Sequence, residues 1–105
     1  MITAWTRWEG TPSAMEGVVA GSKAAKPLHE SMGAKNARLM RPLTGPGGFE
    51  VATYLIDFDD AEAFGRFQDQ MLESDWVVQL RKDVAAAHPD LRMADQGLVY
   101  NAISD

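Results

Sequence analysis

The chain has 105 residues, no cysteine, and 15 acidic against 10 basic side chains, for a formal net charge of -5. Hydrophobic types make up 46% and charged types 24%, the balance of one globular domain. Disulfides and a cysteine zinc site are excluded, and no uncharged apolar run approaches the roughly 20 residues of a spanning helix.

The acidic balance repels phosphates, so no nucleic-acid partner is expected, and no membrane partner. The basic residues Lys23, Lys26, Lys35, Arg38 and Arg41 are spread over a helix and an edge strand rather than gathered on one face. Met1 to Gly10 shows no basic region followed by an apolar stretch, so a cytoplasmic location is the expectation.

Ile2 to Trp8 is rich in β-branched and aromatic residues and predicts a strand, ended by Gly10, Thr11 and Pro12. Ser13 with Glu16 fits a capping box at the start of a helix. Met15, Val18, Val19, Ser22, Ala25 and Met32 follow at near-helical spacing. Gly17 and Gly21 lie in that face, which predicts close packing against neighbours. Pro27 should kink or restart the helix, and Gly33 is a natural C-terminal cap.

Ala34 to Leu43 alternates as a second strand. Thr44 to Gly48 must be a loop, and Phe49 to Phe58 is the clearest strand of the chain. Asp59 with Glu62 makes a second capping box ahead of Ala63, Phe64, Phe67 and Met71. Ser74 and Asp75 offer a helix restart, after which Trp76, Val77, Leu80, Val84 and Ala87 extend the apolar stripe until Pro89. Leu91 to Ile103 predicts the last strand, with Gly97 as a bulge or bend. The order β-α-β-β-α-β is the ferredoxin-like arrangement, an α+β domain over residues 1–105. Its strand order should be 4-1-3-2, with the helices on one face of an antiparallel sheet.

The other sheet face should then be polar, yet Phe49, Val51, Thr53 and Leu55 on one side and Ala52, Tyr54, Ile56 and Phe58 on the other leave both faces largely apolar. At roughly 25 cal/mol per Å², exposing several such side chains forgoes several kcal/mol. A second copy of the sheet is the simplest cover, so a homodimer is expected.

The element order, the length and the two-sided sheet resemble the dimeric α+β barrel superfamily. The stretch Phe49 to Leu80, a strand followed by an Asp-Asp helix start and a Ser-Asp-Trp element, looks most like antibiotic-biosynthesis monooxygenases and NIPSNAP-like domains. The resemblance implies a dimeric barrel of two sheets. It implies a cofactor-independent monooxygenase or isomerase acting on a small aromatic or polyketide-like molecule, or else a non-catalytic ligand-binding or stress-related dimer. The cofactor-free monooxygenases of this group are associated with an Asn on the first strand, which Met1 to Gly10 lacks, and a helical Trp, which Trp76 matches. Haem-handling members carry an axial His on a helix beside the sheet; His88 stands at a helix end just before Pro89 and His29 follows the Pro27 kink, so neither is a firm match to it. No cofactor and no metal are expected.

His29 and His88 are the only histidines and titrate near neutrality when unperturbed. His29, just past Pro27, is a candidate base facing a helix–sheet cleft, or a solvent-facing helix residue. His88, in the last helical turn, is explained by the helix dipole. Arg7, on the same side of its strand as Trp5, must reach solvent, meet a carboxylate such as Glu50, or hold an anion. Arg38 has the same options and blunts a strand edge. Tyr54 and Tyr100 are candidate hydrogen-bond donors or packing residues, and Asp57 reads as support for the following helix N-terminus. The expected site lies between sheet and first helix, with Arg7, His29 and Tyr54 as catalytic candidates and Trp5, Arg38, Trp76 and Tyr100 as substrate-binding ones.

Overall fold

A computed structural model describes residues 1–103. Its elements are β1 (Ile2–Gly10), α1 (Pro12–Ser31), β2 (Lys35–Met40), β3 (Val51–Phe58), α2 (Ala61–Leu72), α3 (Asp75–Ala87) and β4 (Leu91–Tyr100). The sheet runs β2-β3-β1-β4, antiparallel throughout, the order expected from the sequence. This is the ferredoxin-like α+β fold, with the second helical half divided in two.

The helix starts are set by single side chains. Thr11, not Ser13, caps α1: its Oγ1 accepts from the Ala14 N–H at 3.1 Å, and Pro12 takes the first turn, where its missing N–H costs nothing. Asp60 caps α2 through the Ala63 N–H at 2.8 Å, while Asp59 is drawn away to Lys35 at 2.7 Å. Ser74 caps α3 through Val77 N–H, so the expected restart is a separate helix. Pro27 sits inside α1 without restarting it. Burial of Ala25 and His29 on either side of it holds the helix to the sheet and offsets the missing hydrogen bond.

Two strands carry an extra residue. β4 slips against β1 between Arg7 and Trp8, so Ala94 is the bulged residue. Gly97, expected to bulge, pairs with Trp5 instead, and a Cβ there would meet the Trp5 ring at 2.9 Å. β2 slips between Lys35 and Arg38, where Asn36 adopts φ 52°, a conformation Asn tolerates better than most residues. Just past the slip, Lys26 Nζ donates to the Ala37 carbonyl at 2.8 Å, and Glu30 accepts from the Ala37 N–H at 3.3 Å.

The core forms between sheet and helices in two groups. Under α2, Ile56, Phe58, Phe67 and Met71 pack with Ala34 and Ala37, and Phe58 is wholly buried against the rings of Phe64 and Phe67. Under α1, Trp8, Met15, Val18 and Ala52 form the second group. By contrast, α3 has no buried residue.

The outer sheet face is bare in this single chain. Trp5, Leu55, Met40 and Val99 give it an apolar centre, with Met40 58% and Val99 49% exposed. Its polar part is organised around Asp57. That carboxylate accepts from Thr3 Oγ1 at 2.7 Å and Asn36 Nδ2 at 3.3 Å, and pairs with Arg38 at 3.3 Å. Burial pushes the Asp57 carboxyl up, but these bonds outweigh it and leave it below the ordinary carboxylate value. The expectation that Asp57 supports a helix N-terminus is therefore corrected: it faces the other side of the sheet.

Candidate functional site

The small-residue stripe of α1 does not close the helix onto the sheet. Ala14, Gly17, Ser22 and Ala25 keep the helix surface low, and a Cβ added at Gly17 would meet nothing within 4 Å. α3 presents Trp76, Leu80, Asp83, Val84 and Ala87, spaced as one helical face. Between these two helices and the strands lies a cavity of about 450 Å³, floored by Thr6, Trp8, Tyr54, Leu91 and Met93. That is within the usual size of small-molecule sites. The wall is chiefly apolar, with exposed Asp83 and Met93 at its rim.

One wall of the cavity is backed by a buried polar pair. Tyr54 lines the cavity and its hydroxyl stands 2.8 Å from Nδ1 of His29. His29 is only 5% exposed, and the rings of Tyr54, Phe67 and Trp76 stand nearly perpendicular to it at 4.8–5.5 Å. Its Nε2 is buried with no hydrogen-bond partner among the described residues. Burial pushes the imidazole down to about 4, so it is neutral at pH 7. Burial, and then the Glu30 carboxylate, push the Tyr54 hydroxyl up to about 12, so it keeps its proton. The pair thus holds one proton, on Tyr54, in a hydrogen bond between two neutral groups at the cavity wall.

Of the residues expected at the site, the structure brings His29, Tyr54 and Trp76 together. It separates the others. Trp5 and Arg7 lie on odd positions of β1, and strand alternation turns them to the outer face, away from α1. Arg7 meets Glu9 at 3.3 Å, not Glu50, and Glu9 also pairs with Arg92. Those two arginines, Arg92 foremost, hold the Glu9 carboxyl below its ordinary value despite a smaller opposing desolvation. Arg38 is on the outer face with Asp57. Tyr100 is 74% exposed at the far end of β4, paired with Ile2 and outside the cavity. His88 is exposed at the α3 C-terminus. Sequence reasoning missed Thr6, Ser22 and Asp83. The small stripe Ala14-Gly17-Ser22-Ala25 was the available signal, since a helix face lacking bulk packs closely or leaves space.

Among the described residues no group of three or more His, Cys, Asp or Glu side chains is placed to hold a metal ion. No helix is long and apolar enough to cross a membrane.

No family model matches the sequence, and no curated protein does. Solved structures do match in fold. SnoaB, a cofactor-independent oxygenase from Streptomyces nogalater, superposes with TM-score 0.64 at 17% identity, over 98% of this chain and 94% of that one. An uncharacterized NIPSNAP domain protein from Burkholderia xenovorans gives TM-score 0.70 at 8% identity, covering 98% and 96%. An antibiotic biosynthesis monooxygenase gives TM-score 0.63 at 12% identity, covering 99% and 100%. At such identities the likeness establishes the shared fold and not a shared activity.

Proposed function

We propose that the protein binds a small, largely apolar ring compound in the α1–α3 cavity and acts on it as a cofactor-independent oxygenase or isomerase. The observation that carries this reading is the contact of an apolar cavity with a neutral pair, the half-buried Tyr54 and the buried His29. A ligand hydroxyl or activated C–H against Tyr54 gives its proton to the phenol oxygen, while the Tyr54 proton crosses 2.8 Å to His29 Nδ1. The anion left on the ligand is the electron-rich form that reacts with dioxygen or is reprotonated elsewhere. The water-poor wall strengthens the attraction between that anion and the new imidazolium. The fold shared with a cofactor-independent oxygenase supports the same reading.

The test is a thermal-shift screen of polycyclic phenols and ketones, followed by oxygen uptake and product analysis with the hits. Tyr54→Phe and His29→Asn should abolish turnover and keep the ligand-induced rise in Tm. Turnover that survives in both variants refutes the roles given to the pair, and a screen without hits refutes the reading of the cavity. A binding-only role is favoured by one observation. A histidine held near 4 is a costly proton acceptor at neutral pH, and a hit that binds without being changed would establish that role.

The assembly proposed is a homodimer through the outer sheet face. Trp5, Leu55 and Met40 would be buried there, and the Arg38–Asp57 pair would be enclosed. Light scattering should give roughly twice the 11.5 kDa chain mass, and a monomer at micromolar concentration refutes it.

A further inference from the structure

The polar atoms around the cavity are not evenly divided between donors and acceptors. Asp83 is the one charged side chain among the described residues that line it. Its Oδ1 accepts from Gln79 Nε2 at 2.8 Å, which fixes the carboxylate on the helix and leaves Oδ2 available. On the sheet side, the role of Tyr54 depends on which nitrogen of His29 carries the proton. Nε2 is enclosed beside the perpendicular rings of Phe67 and Trp76 with no polar partner. An N–H in that setting is attracted by π density, whereas a bare lone pair is repelled by it. The proton therefore sits on Nε2, Nδ1 accepts from the Tyr54 hydroxyl, and the Tyr54 oxygen turns its lone pairs to the cavity. Thr6 and Ser22 hydroxyls can donate or accept, and the indole N–H groups of Trp8 and Trp76 can only donate, so the acceptor character is confined to the Tyr54 and Asp83 ends.

We infer that the cavity selects a ring compound that donates hydrogen bonds at both ends, to Tyr54 on the sheet and to Asp83 on α3, and turns away carboxylates. This rests on the cavity being the ligand site. A ligand carboxylate near Asp83 meets a like charge with no lining cation to offset it. Because Asp83 is exposed, the discrimination is modest, about fivefold in affinity.

The test uses three matched probes: a naphthalenediol, a hydroxynaphthoate and a dimethoxynaphthalene. Trp8 and Trp76 line the cavity, so quenching of their fluorescence reports binding. The diol should bind about fivefold more tightly than the hydroxynaphthoate at neutral pH. Asp83→Asn, an exposed change that leaves the core untouched, should bring the two within about twofold. The dimethoxy compound should bind more weakly than the diol, since it cannot donate to Tyr54. Equal binding of diol and hydroxynaphthoate by the unaltered protein overturns the role of Asp83 while the cavity reading stands. Equal binding of diol and dimethoxynaphthalene overturns the acceptor role of Tyr54. Failure of all three to bind overturns this inference and the cavity reading together.

Discussion

His29 should make the protein lose stability in mild acid, and the size of the loss follows from its surroundings. In the unfolded chain its imidazole takes up a proton near 6.5, whereas burial lowers this to about 4 in the folded protein. The unfolded state therefore binds more protons between those values, and stability falls as pH drops through that window. Above 6.5 both states are neutral at His29 and the contribution is fully present; below about 4 both are charged and the loss levels off. The full gap corresponds to about 3 kcal/mol, of which about 2 kcal/mol should be lost between pH 7 and pH 5. Urea melts of the natural protein and of His29→Gln, at one protein concentration and at both pH values, give the comparison. His29→Gln lowers stability overall but carries no titrating group, so its stability should change about 2 kcal/mol less over the same interval. Carboxylates such as Glu30, held below its ordinary value chiefly by Lys26, titrate in both proteins and cancel in the difference. If the two proteins lose stability in parallel, His29 is not neutral and enclosed, and the proton pair with Tyr54 loses its basis.

Phe58→Ala should cost about 3–5 kcal/mol in denaturant melts, because its ring is wholly buried between Phe64 and Phe67; a loss under about 1 kcal/mol would mean the α2 side of the core is loosely packed. Gly97→Ala should weaken the dimer in light scattering by dilution, since the new Cβ would press on the Trp5 ring at 2.9 Å and tilt it from the outer face. An unchanged dimer would show that Trp5 lies outside the contact.

The element order was readable because each helix face and strand alternation is a local pattern. Ser74 followed by Trp76, Leu80 and Val84 announced α3 from its cap and stripe alone. The caps at Thr11 and Asp60 were displaced by a residue or two because neighbouring side chains compete for the same role. Asp59 is taken by Lys35, 24 positions away, and only the folded chain shows that. The site was half visible. His29, Tyr54 and Trp76 come from three elements but meet between the sheet and the helices, where the expected cleft lay. Arg7 and Trp5 failed on parity, for a strand residue cannot leave the face its alternation assigns. Asp83 was invisible because an acidic residue on a helix ordinarily faces solvent. Its place at the rim depends on the space left beside Gly17 and Ser22.

That α3 buries none of its residues completely has a consequence for how anything enters the cavity. Segments with few enclosed side chains open by local unfolding at free energies well below the global value. The helix that carries Trp76, Leu80 and Asp83 is thus the part of the wall least secured to the sheet. Its amides should exchange with solvent sooner than those of β1 and β3, and passage of a ligand would be timed by the breathing of this one helix while the pair behind it stays fixed.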